Sequence, residues 1–200
     1  AHGDFIMVGG YTLAFTVPLM VAAGMPAWLA VVAAIITCAI TGVLVEKLAY
    51  SPVRRRGNRM SSLITAIAMS LLLENGAQVL FGANPRGVGT LFTLPNIGMC
   101  SGTTLLTIVL GALVMVALQL FVNKTKMGRG MRAVSEDKEA ATLMGVHVNS
   151  TIAITFAVGS ALAAVASLMY CAQYNQVTTT MGSMLGLKAF VAAVLGGIGS

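Results

Sequence analysis

Five apolar runs of about 20 residues follow one another along this chain, with only short polar segments between them. A helix of that length crosses the ~30 Å hydrocarbon layer of a bilayer. The runs are apolar on nearly every side and lack the two-residue alternation of barrel strands. They predict an all-α integral membrane protein, a polytopic helical bundle of five complete spans and one truncated span. The predicted spans are Phe5–Gly24, Ala27–Ala49, Ser62–Phe81, Thr103–Val122 and Ser150–Ala172, with the sixth starting near Leu187.

The composition supports this class and argues against a nucleic-acid-binding protein. Charged residues make up 9% of the 200 residues and hydrophobic residues 57%, whereas soluble domains carry about 25% charged residues. The net charge is +6, and most of the basic residues lie in two loops. A nucleic-acid-binding protein would need a folded polar face to display such charges, and no segment of this sequence predicts one.

The positions of lysine and arginine predict the orientation of the spans. Short loops rich in these residues stay in the cytoplasm. The alternate loops, residues 82–102 and 173–186, contain only Arg86, so the two basic loops are predicted to be cytoplasmic. Those loops, residues 50–61 and 123–149, contain Arg54, Arg55, Arg56, Arg59, Lys124, Lys126, Arg129, Arg132 and Lys138.

We expect residues 1–200 to form a single transmembrane domain with one long cytoplasmic loop, residues 123–149. The chain begins with Ala-His-Gly rather than methionine and stops inside an apolar stretch. It is therefore interpreted as a fragment of a longer protein. The first span contains Pro18, Gly9, Gly10 and Gly24, and Pro26 follows it. These residues predict either a kinked, packed helix or a break that frees backbone groups for a polar pathway.

Ionisable residues inside apolar spans are costly in a bilayer, so each one is a candidate functional residue. Glu74 lies well inside the third run, with Asn75 and Gln78 nearby. Glu74 and Gln78 are four residues apart and share a helix face. These three residues are candidates for a translocation path; the alternative is a polar contact between helices. Lys188 is a conceivable ion-pair partner for Glu74.

Other polar residues near the spans are interpreted as structural. Glu46 and Lys47, at the end of the second run, are expected to extend toward the membrane surface. His2 and Asp4 are expected to be a polar cap at a helix start, although a ligand cluster is an alternative reading of the pair.

The sequence predicts that the chain is not an enzyme and holds no metal or cofactor. It contains no Ser/His/Asp set, no metal-ligand spacing and no phosphate-binding loop. Cys38 is expected to be a small packing residue. Cys100 and Cys171 could share the outer side of the membrane, which leaves a disulfide between them open.

The segment Ser135–Val146, SEDKEAATLMGV, is predicted to be a cytoplasmic helix of two or three turns. Ser135 is a suitable N-cap, and the acidic residues that follow it favour the first turn of a helix. Gly145 can end the helix in a left-handed conformation. Ala140, Leu143 and Met144 then share one face. Such a face suits docking into a groove of another protein, and the alternative is contact with the lipid surface.

Several stretches resemble the permeases of importers for branched-chain amino acids. The segment EAATLMG, Glu139–Gly145, resembles the EAA-x-x-x-G loop of ABC-importer permeases. The stretches AHGDFIMVGGY, SSLITAIAMSLLLEN, GMRAVSEDKEAATLMGVHVNSTIAITFAVGSALAAVA and GLKAFVAAVLGGIGS resemble the branched-chain amino acid permeases in the same order. The chain differs at Glu74, where the family pattern often has a neutral glutamine.

The resemblance implies an inner-membrane, multi-pass permease that itself does no chemistry, because partner ATPase subunits bind the ATP. It also implies a second homologous permease and a periplasmic substrate-binding protein as partners, with the lipid bilayer around them. The residues that would couple to the ATPase are Glu139, Ala140, Ala141, Leu143 and Gly145. Permeases of the same subfamily carry urea or short amides, and an ion-coupled secondary transporter or a membrane scaffold are further alternatives.

Overall fold

The computed structural model of the chain describes residues 2–24, 26, 28–55, 59–89 and 102–197. These residues are almost entirely helical. The helices are α1 (His2–Ala22), α2 (Trp28–Val45), a π-helix (Glu46–Tyr50), α3 (Ser51–Arg55), α4 (Arg59–Phe81), α5 (Gly102–Lys124), α6 (Lys126–Glu136), α7 (Lys138–Leu143), α8 (Val148–Tyr174) and α9 (Met181–Leu195). Two short strands, β1 (Arg86–Gly87) and β2 (Gln176–Val177), complete the elements.

Five of the described helical segments are long and apolar enough to cross a membrane, which confirms the predicted fold class. They are Gly3–Ala22, Trp28–Arg54, Met60–Phe81, Gly102–Lys124 and Val148–Tyr174. The sixth helix differs from the prediction: α9 begins at Met181, not near Leu187. Its first residues, Met181 and Gly182, are buried, so tertiary packing extends the helix into a segment that is less apolar.

The chain divides into two compact units, one of Ala1–Leu91 with Ala157–Ser200 and the other of Phe92–Phe156. The core of the first unit forms where α1 packs against α2 and α9. Cys38 is fully buried there, and its thiol donates a hydrogen bond to the Phe5 carbonyl at 3.4 Å. The prediction that Cys38 is a packing residue is confirmed.

Helix α1 is continuous from His2 to Ala22 with Pro18 inside it, so its glycines do not break it. They allow other helices to come close. A Cβ atom on Gly9 would lie 3.1 Å from the Ser167 side chain, and one on Gly10 would lie 2.9 Å from that of Val177. The helix ends before Gly24, which has a φ of +69°. Of the two interpretations of this span, the packed helix is the one that the structure shows.

A small antiparallel sheet ties the end of α4 to the end of α8. Arg86 pairs with Val177 and Gly87 with Gln176. The Val88 amide adds a hydrogen bond to the Asn175 carbonyl at 3.1 Å. Val88 and Val177 are fully buried, so the sheet has an apolar anchor although it is only two residues long.

The π-helix at the end of α2 brings a charged pair into the protein. Glu46 is 2% exposed and accepts a hydrogen bond from the Arg54 guanidinium at 2.9 Å. The expectation that Glu46 extends to the surface is wrong, because the arginine eight residues later folds back and neutralises it. Lys47 is exposed, as expected.

Candidate functional site

One face of α4 carries a row of polar side chains in an otherwise apolar span. Ser70, Glu74 and Gln78 follow one another at four-residue intervals, so they lie on the same side of the helix. We call these three residues the polar row. Each of them makes a side-chain hydrogen bond to a residue far away in the chain.

At the centre of α4, the Ser70 hydroxyl donates a hydrogen bond to the Asp4 carboxylate at 2.5 Å. Asp4 is 2% exposed and lies in the first turn of α1. Asp4 is therefore neither a simple helix cap nor, among the described side chains, a member of a metal-ligand cluster. It is a buried carboxylate that joins the start of one helix to the middle of another.

The middle of α1 contacts the last residue of α4. Tyr11 stacks on Phe81, the last residue of α4, with ring centroids 4.8 Å apart. The Phe15 ring also contacts the Phe81 ring, with centroids 5.1 Å apart. The Arg86 guanidinium lies 5.0 Å from the centre of the Phe15 ring. The first turn of α1 therefore lies at the middle of α4, and the middle of α1 lies at the end of α4.

Glu74 and Gln78 contact the segment that begins α9. The Ser183 hydroxyl donates a hydrogen bond to the Glu74 carboxylate at 3.1 Å. The Gln78 amide donates to the Thr179 hydroxyl at 3.4 Å, and Thr179 is buried. The conceivable ion pair between Glu74 and Lys188 is not formed, since Lys188 is exposed and Glu74 is bound by Ser183 instead.

Asn75 lies apart from the polar row. Its side chain is exposed, and its amide donates a hydrogen bond to the Leu71 carbonyl of its own helix at 2.7 Å. The structure therefore brings two of the three predicted path residues, Glu74 and Gln78, to one seam and leaves Asn75 outside it.

Three glycines let the starts of α1 and α9 come into backbone contact. A Cβ atom on Gly3 would overlap the carbonyl oxygen of Gly182 and lie 2.8 Å from the Cα atom of Gly186. A Cβ atom on Gly182 would in turn lie 2.9 Å from the Cα atom of Asp4. No larger residue fits at this crossing, which positions Asp4 beside α9.

A cavity of about 810 Å³ opens next to this crossing. Its polar lining consists of Asp4, Ser70 and Ser183, and the rest is apolar. Much of the wall on α8 and α9 is made of small residues, which is why space remains between these helices. These small residues are Gly159, Ala163, Ala166, Gly182, Gly186, Ala189 and Ala193.

Helix α7, in the second compact unit, is shorter than predicted and begins at a different cap. Ser135 is not the N-cap, since α6 continues through it and its hydroxyl donates to the Arg132 carbonyl at 2.7 Å. Asp137 caps α7 instead: its carboxylate accepts hydrogen bonds from the amides of Glu139 and Ala140 at 2.8 and 3.2 Å. Asp137 has an extended backbone, which separates α6 from α7.

The end of α7 is fixed by a Schellman motif. The Val146 amide donates to the Ala141 carbonyl and the Gly145 amide to the Thr142 carbonyl, both at 3.0 Å. Gly145 has a φ of +82°, which confirms its predicted role as the left-handed terminator. Ala141 is buried and anchors the helix.

The predicted apolar face of this segment is exposed. Leu143 is 88% exposed and Met144 85% exposed, at the end of a helix fixed at both termini. The structure thus presents two large apolar side chains on a short rigid element, an arrangement that suits insertion into a groove.

Sequence reasoning missed the partners of the polar row. Ser70 was detectable, because it lies four residues before Glu74 in an apolar run. Asp4, Thr179 and Ser183 carry no such periodic signal, since contacts between distant segments cannot be read from spacing. Cys171 is buried, and Cys100 lies outside the described residues, so their pairing stays open.

The whole chain, residues 1–200, matches the family model described as the branched-chain amino acid transport system permease component. It is 36% identical to the high-affinity branched-chain amino acid transport system permease protein BraD of Pseudomonas aeruginosa, over 100% of this chain and 69% of that protein. The chain is also 36% identical to the high-affinity branched-chain amino acid transport system permease protein LivH of Escherichia coli strain K12, again over 100% of this chain and 69% of that protein. The ribose import permease RbsC of that strain is 29% identical over 80% of this chain and 48% of its own length. No solved structure gives a significant match.

Proposed function

Because the chain belongs to the family of branched-chain amino acid transport system permease components, we propose that it is a membrane subunit of an ATP-driven importer for branched-chain amino acids. The single observation that carries this proposal is the similarity to BraD and LivH along the entire chain. The similarity to the ribose permease covers less of the chain and is weaker. The membrane is the bacterial inner membrane.

The proposal assigns ATP hydrolysis to partner subunits and transport to this chain. The partners are two ABC ATPase subunits, a second homologous permease and a periplasmic binding protein that delivers the amino acid. The chain itself supplies helices, a path and a contact for the ATPase.

In this proposal α7 is the element that contacts the ATPase. Glu139, Ala140, Leu143 and Gly145 form or shape its exposed surface, while Ala141 anchors it from the buried side. The capping bonds at both ends keep the apolar face in place, so movement of an ATPase groove would displace the helix as a unit. Helix α8 begins four residues after Met144 and would carry that displacement into the membrane.

The solute path is proposed to run along the seam formed by the polar row and α9. Glu74 and Gln78 hold this seam through one hydrogen bond each, and the adjoining cavity has mainly small side chains in its walls. A seam joined by few polar bonds can open at low cost, which alternating access requires. The apolar walls suit an aliphatic side chain, and the polar row suits the charged groups of an amino acid.

An uptake assay tests this function. The full-length protein is expressed with its ATPases, second permease and binding protein in a strain that lacks branched-chain amino acid transport. Labelled leucine, isoleucine and valine should accumulate, and a variant of the ATPase that cannot hydrolyse ATP should abolish uptake. If urea or acetamide accumulates instead, the substrate class proposed here is wrong and the protein is a permease for urea or short amides. If uptake is undiminished with the inactive ATPase, transport is not driven by ATP and the protein is an ion-coupled transporter.

A further inference from the structure

Helix α6 carries three basic residues along one exposed side. Lys126, Arg129 and Arg132 follow at three-residue intervals, and all three side chains are exposed. Three-residue spacing places successive residues on the same side of a helix. With the exposed Lys124 just before them, they form what we call the basic face, four positive charges within nine residues.

The basic face is held next to the end of an apolar helix. Thr125 caps α6, since its hydroxyl accepts a hydrogen bond from the Gly128 amide at 3.0 Å and donates one to the Phe121 carbonyl at 2.7 Å. A Cβ atom on Gly128 would overlap the backbone of Val122. Helix α6 therefore folds directly against the last turn of α5, a helix apolar enough to span a membrane.

Further contacts join α6 to neighbouring segments of the second compact unit. Arg132 donates a hydrogen bond to the Asn123 side chain at 2.9 Å, which holds a guanidinium next to the end of α5. Val134 is buried, and a Cβ atom on Gly130 would lie 3.7 Å from the Val146 side chain. The three basic side chains of α6 all remain exposed beside these contacts.

We propose that the basic face binds the headgroups of anionic phospholipids at the membrane surface. A cluster of lysine and arginine immediately after a transmembrane helix is attracted to anionic lipid, because each positive charge lies within the field of the surface. Met127, exposed beside this cluster, adds an apolar side chain that can enter the interfacial layer. The end of α7 exposes the large apolar side chains of Leu143 and Met144. It therefore differs chemically from the basic face of α6.

The experiment uses the purified full-length permease in a neutral detergent, with phosphatidylglycerol or phosphatidylcholine added as mixed micelles. The expected result is a rise in Tm with phosphatidylglycerol that phosphatidylcholine does not produce, because a ligand that binds the folded state stabilises it. At about 1 M salt, where the Debye length is about 3 Å, this rise should disappear.

The triple variant Lys126→Gln, Arg129→Gln, Arg132→Gln should bind phosphatidylglycerol on the order of 100-fold more weakly. The matched control is Lys138→Gln with Lys188→Gln, which removes exposed charges elsewhere and should keep the full response. If the triple variant does not fold, Arg129→Gln alone is measured instead. It should also bind phosphatidylglycerol more weakly, by a smaller factor.

An unchanged response of the triple variant to phosphatidylglycerol would overturn the proposal. So would a triple variant that responds normally to the lipid but no longer co-purifies with the ATPase, because the face would then belong to a protein interface. These outcomes do not depend on transport, so the lipid proposal and the transport proposal can fail separately.

Discussion

The hydroxyl of Ser70 and the carboxylate of Asp4 are joined by a 2.5 Å hydrogen bond at the middle of α4, between residues 66 positions apart in the chain. A carboxylate inside an apolar helical protein is costly unless donors surround it. This bond therefore determines where α1 starts relative to α4 and helps to set the position of the cavity that both residues line.

Removal of the Ser70 hydroxyl should destabilise the protein. Ser70→Ala takes one donor from a buried carboxylate, and a hydrogen bond to a charged group contributes about 1.5–3 kcal/mol. We expect a lower Tm in detergent than for Ser61→Ala, a matched change at an exposed serine of the same helix. Equal Tm values for the two variants would show that other donors alone satisfy Asp4.

Two glycine-to-alanine substitutions should act in opposite directions. Gly3→Ala places a methyl group against the backbone of Gly182 and Gly186, which cannot move aside, and should cost at least about 1–3 kcal/mol. Gly76→Ala adds a methyl group on α4 where no atom lies within 4 Å, and should stabilise by about 0.5–1 kcal/mol. Thermal unfolding of both variants measures the difference. A tolerated Gly3→Ala would contradict the close crossing of α1 and α9.

The buried ion pair at the end of α2 gives a prediction for a double-mutant cycle. Arg54→Gln leaves the carboxylate of Glu46 buried without its counter-charge and should cost up to about 3 kcal/mol, since the Arg54 side chain is itself 20% exposed. The double variant Glu46→Gln, Arg54→Gln removes both charges and should recover much of that loss. If the double variant is less stable than Arg54→Gln, charge burial is not the cause.

Neutralising Glu74 tests the proposed path separately from packing. Glu74→Gln keeps an oxygen that can accept the Ser183 hydrogen bond, so stability should change little while amino-acid uptake falls several-fold. Asn75→Ala, next to it on the exposed side, should leave uptake near that of the unmodified protein. Unchanged uptake and substrate preference in Glu74→Gln would leave the seam a purely structural contact.

The exposed end of α7 gives a prediction about coupling. Leu143→Ala with Met144→Ala removes two side chains that lie in solvent in this chain, so Tm should not change. In the assembled importer, hydrolysis stimulated by the loaded binding protein should fall about tenfold or more, because the apolar contact is lost. Met127→Ala, at an exposed methionine of α6, is the control. Normal stimulated hydrolysis in the double variant would exclude this helix as the ATPase contact.

Much of the helical architecture was predictable because single-helix signals are local. Apolar runs place four of the spanning helices within a few residues of their observed ends, and Gly145 ends α7 as its backbone freedom predicts. Local signals fail where two suitable residues compete. Ser135 and Asp137 are both good caps, and α6 simply extends through Ser135, so the later residue caps α7.

The site was less predictable, because it is built from contacts between distant segments. The sequence identifies Glu74 and Gln78 as an unusual pair but carries no sign that Ser183 and Thr179 would meet them. The start of α9 was missed for the same reason. Its first turn is helical and buried because α1 packs against it, and nothing in the run Met181–Gly186 alone requires that.

The crossing of Gly3 with Gly182 and Gly186 also constrains the order in which the protein can be made. These partners are separated by roughly 180 residues, so α1 leaves the ribosome long before α9 exists. At about 5–20 residues per second, on the order of ten seconds or more pass before the crossing can form. Throughout that interval the Asp4 carboxylate is not yet covered by α9. Biogenesis must therefore hold α1 at the translocon or among other lipid-embedded helices until α9 has been synthesised.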